Sequence, residues 1–114
     1  MNERFNPYYS PKNLGLEMIS FEEPGLSYEY NTAIFVRTQD GRVFMASDSG
    51  CSCPTPFESY EGETQDEVTQ KMERIGNFED AWQQLRSFGK GYGETPWIDD
   101  SDRETLLRWW NSSI

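Results

Sequence analysis

Two kinds of hydrophobic periodicity follow one another along this chain. Between residues 14 and 49, apolar side chains alternate with polar ones or form short runs of β-branched and aromatic residues, which is typical of strands. After residue 64, apolar residues recur three or four positions apart, as in helices with one buried face. Strands followed by helices predict an α+β fold, in which a short antiparallel β-meander of about three strands carries about three helices packed on the sheet.

The strand pattern covers residues 14–21, 27–38 and 43–49. Between the last two runs, Asp40-Gly41 is the usual signal of a two-residue hairpin turn. Such a turn pairs Val36 with Met45 and places both on the face that we expect to be the main core face. We expect a helix, the N-terminal arm or a partner to cover the opposite face.

Three helix starts are predicted from capping signals. Residues 64–67 (Thr-x-x-Glu) and 101–104 (Ser-x-x-Glu) match the capping box, and Asn77 is a suitable N-cap for the helix between them. The apolar stripes predicted to be buried are Val68, Met72 and Ile75 in the first helix, Phe78, Ala81, Trp82, Leu85 and Phe88 in the second, and Leu106, Leu107 and Trp110 in the third.

The length of 114 residues is enough for one domain with a modest core. Aromatic residues make up 15% of the chain, and their large rings let a small core bury sufficient area. The predicted parts are an extended arm at 1–13, the β-meander at 14–49, a loop rich in cysteine, proline and acidic residues at 50–63, and a helical half at 64–114.

The net charge of −10 arises from 10 basic and 20 acidic residues. It disfavours direct binding to nucleic acid or to an anionic membrane, because neutralised phosphate charge drives both. It favours a protein partner with a basic surface. Neither a leader-like segment nor an apolar stretch near 18 residues is evident, so we expect a cytoplasmic protein without a membrane span.

The run at residues 58–67, ESYEGETQDE, has five carboxylates and no cation. It is either a solvated loop and helix start or an anionic patch that docks on a basic partner. The candidate binding residues in this patch are Glu58, Glu61, Glu63 and Asp66.

Both cysteines lie in the segment DSGCSCPTPFE, at positions 51 and 53. Two such thiols can chelate a soft metal such as zinc, but a closed site needs carboxylates or the thiols of a second copy in a homodimer. A strained, reducible disulfide is another alternative. The simplest interpretation is a shaped loop without a cofactor, in which Gly50, at a positive φ, and the prolines Pro54 and Pro56 set the backbone and the loop presents Phe57. The candidate metal ligands are Cys51 and Cys53.

Tryptophans cluster near the C-terminus, at positions 97, 109 and 110. On a helix, adjacent residues point about 100° apart, so Trp109 and Trp110 cannot both occupy the centre of one narrow stripe. Either the buried stripe is broad, or one ring is partly exposed. Exposed tryptophan is enriched at interfaces, which makes Trp97 and Trp109 candidate interaction residues.

The motif DSGCSCPTPFE, together with the preceding VFMAS and YYSPKNLGLE, resembles a family of small, largely uncharacterised proteins of actinobacterial phages. The resemblance covers roughly residues 6–60 and rests mainly on 48–58. It implies a phage gene product that acts in the bacterial host cytoplasm. It also implies that the loop that defines the family is formed by Gly50, Cys51, Cys53, Pro54, Pro56 and Phe57.

Histidine is absent, which removes the commonest general base and the commonest metal ligand, and no catalytic constellation is evident. The sequence therefore favours a non-enzymatic protein-interaction module, with a host or phage protein as partner. The alternatives are a metal-binding or redox protein built on Cys51 and Cys53, and an acidic mimic of nucleic acid.

Overall fold

The computed structural model describes residues 3–51, 55–90 and 96–112. They form one antiparallel sheet of four strands in the order β1-β2-β3-β4, together with three α-helices. The α+β architecture is therefore confirmed. The strands are β1 (Glu17–Glu22), β2 (Glu29–Arg37), β3 (Val43–Cys51) and β4 (Glu73–Ile75). The helices are α1 (Gln65–Thr69), α2 (Phe78–Lys90) and α3 (Asp100–Asn111), and short 3-10 helices lie at Pro11–Leu14 and Glu58–Tyr60.

The hairpin between β2 and β3 has a three-residue loop, so the predicted two-residue turn is wrong. The Thr38 amide donates to the Arg42 carbonyl at 2.9 Å, and the Gly41 amide donates to the Thr38 carbonyl at 3.0 Å. Gly41 has a φ of 89°, as expected where a bulge follows the turn. Val36 therefore pairs with Phe44 rather than with Met45. This shift of one residue moves every β3 side chain to the face opposite to the predicted one.

Both faces of the sheet are buried. The helix-side core packs against α2 and α3, and the arm-side core packs against the N-terminal segment, the loop after β3 and α1. The helix-side core contains Phe21, Ala33, Phe35, Val43, Met45, Ile75, Ala81, Trp82, Leu85, Ile98 and Leu106. The arm-side core contains Leu14, Leu16, Ile34, Val36, Phe44, Ala46, Phe57 and Val68.

The first helix is shorter than predicted because its apolar residues serve different cores. Thr64 caps α1 as expected, since its Oγ1 accepts from the Glu67 amide at 3.1 Å. Val68 then packs in the arm-side core, whereas Ile75 packs in the helix-side core on the other side of the sheet. One helical stripe cannot reach both faces. The chain instead leaves the helix after Thr69 and pairs Ile75 with Val43 as strand β4.

The caps of the other two helices agree only in part with the prediction. Asn77 Oδ1 accepts from the Asp80 amide at 2.8 Å, as expected for an N-cap. In α3 the N-cap is Asp99, not Ser101: the Asp99 side chain accepts from the Asp102 amide, and the Asp102 side chain accepts from the Asp99 amide. The hydrogen bond from the Ser101 hydroxyl lowers the pKa of Asp99, which keeps the cap ionised. An acidic residue at this position also suits the helix dipole.

Candidate binding surfaces

The cysteine-containing segment begins inside the sheet rather than in a loop. Gly50 is a strand residue that pairs with Tyr30, and it is not among the residues with positive φ, so that expectation is wrong. A Cβ at Gly50 would lie 3.3 Å from Tyr30 Oη, which makes glycine suitable beside this ring. Cys51 ends β3 with an exposed, free thiol. Cys53 and Pro54 lie outside the described residues.

The part of the chain that the structure describes contains no set of side chains suited to hold a metal ion. No group of three or more histidine, cysteine, aspartate or glutamate side chains is placed there to hold an ion. No helix in the same ranges is long and apolar enough to cross a membrane.

Phe57 belongs to the arm-side core, so the prediction that the loop presents it is wrong. Its side chain is 0% exposed. Its ring centroid lies 5.4 Å from that of Tyr8 and 5.8 Å from that of Tyr60. The backbone at Phe57 has a left-handed φ of 62°, which is uncommon for a bulky residue and turns the ring inward. Pro56, half-buried beside it, accepts a hydrogen bond from Asn6 Nδ2 at 2.8 Å.

Asp48 holds this turn against the sheet, and the sequence analysis did not identify it. Its Oδ2 accepts from the Phe57 amide at 2.7 Å and from the Tyr30 hydroxyl at 3.0 Å. Its Oδ1 accepts from the Ser49 amide at 3.0 Å. The signal available in the sequence was a carboxylate at the end of a strand, in line with the apolar positions 44 and 46.

The phenols around Asp48 are held in their neutral form. Burial raises the pKa of Tyr30 above its ordinary value of 10.0, and the hydrogen bond to Asp48 raises it further. Burial also raises the pKa of Tyr60, with the charge of Asp48 adding to the shift. Because folding raises the pKa of both phenols, the folded state favours their neutral forms, and the resulting contribution to the free energy of unfolding is complete below about pH 10. It is lost as the pH rises through the raised values.

We expect Asp48→Asn to lower the pKa of Tyr30 toward its ordinary value. The substitution removes the negative charge but keeps an oxygen that can accept the phenolic hydrogen bond. A pH titration of the Tyr30 ring carbon Cζ by NMR measures this directly. Glu29→Gln, an exposed change at the next residue, is the control and should leave the titration unchanged. An unaltered Tyr30 pKa in Asp48→Asn would show that burial alone sets it.

The acidic run at residues 58–67 contains no cation of its own, but cationic side chains from other segments contact it. Arg4 donates to the Glu61 carbonyl at 2.7 Å and lies 3.8 Å from the Glu67 carboxylate. Lys71 Nζ donates to the same Glu61 carbonyl at 2.8 Å. These cations reduce the negative field that the run presents.

Three of the four acidic candidates are solvent-exposed, and residues from other segments contact at least two of the four. Glu58, Glu63 and Asp66 are exposed. The carboxylate of Asp66 lies 3.9 Å from the guanidinium of Arg42. The half-buried Glu61 is placed 3.5 Å from Asn6 Nδ2.

The two candidate tryptophans pack on the helix-side core instead of standing free. The ring of Trp97 lies 5.6 Å from that of Phe88, and its indole Nε1 is buried with no hydrogen-bond partner among the described residues. The ring of Trp109 lies 4.3 Å beneath the guanidinium of Arg37. Both rings are half-buried, so their exposed edges are small interaction targets.

A groove of about 290 Å³ lies between the N-terminal segment and the turn that joins β1 to β2. We call it the tyrosine–glutamate groove. Of its larger side chains, Tyr9 is 60% exposed and Leu26 is 36% exposed, whereas Tyr8 and Tyr30 are half-buried. Tyr28, on the same turn but outside the lining, is 79% exposed. Its principal lining residues are Tyr8, Tyr9, Glu22, Glu23, Glu29 and Tyr30.

Neutral donors position the carboxylates of this groove. The Tyr8 hydroxyl donates to Glu22, and Asn31 Nδ2 donates to Glu23 at 3.0 Å. Within residues 3–51, 55–90 and 96–112, no lysine or arginine comes within ion-pair distance of Glu22, Glu23 or Glu29. The groove therefore combines uncompensated negative charge with one well-exposed phenol ring, that of Tyr9. The sequence predicted none of its residues as a binding candidate.

Fold and surface together define a small acidic α+β protein with an antiparallel sheet buried on both faces. The family model described as Domain of unknown function (DUF7574) matches residues 5–101, so the chain belongs to that family. No curated protein and no solved structure matches the chain.

Proposed function

We propose that this protein is a non-enzymatic interaction module that binds a basic surface of a host or phage protein through the tyrosine–glutamate groove. The observation that carries the proposal is the uncompensated charge of Glu22, Glu23 and Glu29 beside the exposed ring of Tyr9. Large exposed rings are characteristic of protein interfaces. This surface replaces the acidic run at 58–67 as the principal candidate, because that run already has cationic neighbours.

The groove suits a lysine or arginine side chain in particular. A cation over a tyrosine face gains about 0.5–2 kcal/mol, depending on how far it is desolvated. Carboxylates can then accept charge-assisted hydrogen bonds from the same cation. Because Tyr8 and Asn31 already hold Glu22 and Glu23 in place, little ordering of these carboxylates is required on binding.

We expect neutralisation of the groove to weaken capture of the partner far more than neutralisation of the acidic run. The groove variant is Glu22→Gln/Glu23→Gln/Glu29→Gln. The matched control is Glu58→Gln/Glu63→Gln/Asp66→Asn, which removes the same three negative charges elsewhere. Capture of proteins from a host lysate on each immobilised variant, followed by titration of the recovered partner by calorimetry, gives the comparison.

The groove variant should reduce the association constant by at least about tenfold, and the control by less than about threefold. Tyr9→Ser in the parent chain should also weaken binding, because this ring lines the groove and is 60% exposed. Equal loss in both charge variants would assign binding to net charge alone. A larger loss of affinity in the control would make the acidic run at residues 58–67 the principal binding surface.

A further inference from the structure

Strand β3 is longer than the strand that covers its outer edge. β3 runs from Val43 to Cys51, but β4 pairs only with its first three residues, 43–45. Among the described residues no strand pairs with Ala46 to Cys51 on the side of β4, so this part of β3 has a paired edge toward β2 and an open edge opposite. Open edges are usually shortened or protected by lysine, proline or a bulge. Here the outward-bonding residues are uncharged.

The register identifies which backbone groups project from the open edge. The amide of Glu23 donates to the carbonyl of Asn31, so odd-numbered residues of β2 bond toward β1 and even-numbered residues bond toward β3. In an antiparallel ladder, the residues of β3 opposite those even positions also bond inward. The backbone groups of Ser47, Ser49 and Cys51 consequently point outward.

These outward groups are largely unpaired. In the described ranges no hydrogen bond meets the backbone of Ser47 on this edge, and the Ser49 amide contacts only the carboxylate of Asp48. Ser47, Ser49 and Cys51 all have exposed side chains. A row of unpaired amides and carbonyls is a template for another strand.

A cleft of about 440 Å³ continues the line of β4 along this edge. Its lining includes Ser87 and Phe88 of α2, Tyr60, and the charged residues Lys71 and Glu73. Met45 also belongs to the lining, but its side chain is only 7% exposed. The cleft thus lies between a strand edge and a helix, the arrangement that receives an added strand in known peptide-binding domains.

We propose that the open edge of β3 binds an extended, uncharged segment of a partner protein by strand addition. An extended segment is required because only its alternating amides and carbonyls match those of Ser47, Ser49 and Cys51. Apolar side chains at alternate positions would contact Phe88 and Met45. A second copy of this chain is disfavoured as the occupant, because each copy carries a net charge of −10.

The test uses the full chain and the peptide acetyl-Thr-Val-Thr-Val-Thr-amide. Addition of the peptide should produce saturable backbone-amide NMR shifts at Ser47, Ser49 and Cys51, with a Kd below about 1 mM. Hydrogen exchange of the same amides should slow. The control peptide has the same side chains but is N-methylated at every second residue, which removes donors on one edge and should weaken binding at least about tenfold.

Two protein variants separate edge pairing from other binding. Ser47→Pro removes an outward amide and leaves the bonds to β2 intact, so it should abolish the shifts. Ser47→Thr keeps that amide and should bind as the parent does. Absence of saturable binding, or equal binding of the N-methylated peptide, would overturn the proposal. Concentration-dependent dimerisation that Ser47→Pro abolishes would also overturn it, because the occupant would then be a second copy.

Discussion

Replacing Phe57 with alanine is expected to lower the free energy of unfolding by about 3–5 kcal/mol. The ring is fully buried in the arm-side core between Tyr8 and Tyr60, so its removal leaves a cavity that those rings cannot fill without moving. A chain of 114 residues has a total stability on the order of 10 kcal/mol. The midpoint of thermal unfolding should therefore fall by more than about 10 °C. Urea unfolding followed by tryptophan fluorescence measures the change.

Two further variants test whether burial is the cause of that loss. Phe57→Leu keeps most of the apolar volume and should cost only about 1–2 kcal/mol. Tyr28→Ala removes a comparable ring from an exposed position and should change stability by less than about 0.5 kcal/mol. If Phe57→Ala unfolds at the same urea concentration as Tyr28→Ala, the loop presents Phe57 to solvent as its sequence had indicated.

Replacing Arg37 with leucine is expected to lower the free energy of unfolding by about 2–4 kcal/mol. The Arg37 side chain is 10% exposed and pairs with the Glu17 carboxylate at 2.8 Å. It also donates to the Trp109 carbonyl at 3.0 Å and to the Trp110 carbonyl at 3.4 Å. Leucine cannot make these bonds, so the half-buried Glu17 carboxylate would lose its cation and the Trp109 carbonyl would keep, among the described residues, only its bonds from Ser112. Denaturant unfolding gives the stability.

Arg42→Leu is the matched control for Arg37, because it removes an arginine whose ion pair with Asp40 is more exposed. Exposed pairs contribute between zero and about 1 kcal/mol, so this variant should remain close to the parent. Hydrogen exchange of the α3 amides adds a local measurement. Exchange should accelerate across α3 in Arg37→Leu and stay unchanged in Arg42→Leu. Equal effects of the two substitutions would contradict a specific link between the sheet and α3.

Arg37 also explains why Trp109 is not a freely presented ring. The guanidinium stacks on the indole while its edges bond to Glu17 and to the end of α3. The tryptophan pattern in the sequence left open whether one ring would be exposed. An arginine 72 residues away in the chain decides this outcome for Trp109, and no local signal near Trp109 points to it.

The local signals in the sequence were dependable where the interaction they describe is itself local. Thr64 and Asn77 cap their helices through atoms three residues away. The α3 start was misplaced because Asp99 and Ser101 are both acceptable caps, and only the reciprocal bonds with Asp102 select Asp99. The turn of the hairpin was mispredicted for a similar reason. Asp40-Gly41 fits both a two-residue turn and a three-residue loop, and these two turns give strand registers that differ by one residue.

The candidate binding surface was much less predictable than the fold. Tyr8 and Tyr9 join Glu22, Glu23 and Glu29 only because the N-terminal segment lies beside the turn between β1 and β2. Conversely, the sequence predicted no positive charge near the acids of residues 58–67, because Arg4 and Arg42 are far away along the chain. Surface charge is a property of neighbours in space, and a linear pattern lists only neighbours along the chain.

The sequence by itself determined the order of β1 to β3 and of the three helices after them, the positions of two helix caps and the strong negative charge. These follow from periodicity, capping and composition, which act within a few residues or over the whole chain. Tertiary structure alone decided the face on which each β3 side chain lies, the short strand β4, the burial of Phe57 and the composition of the groove. Each of these depends on contacts between distant segments, whose free energy is realised only when the complete sheet and both cores are assembled.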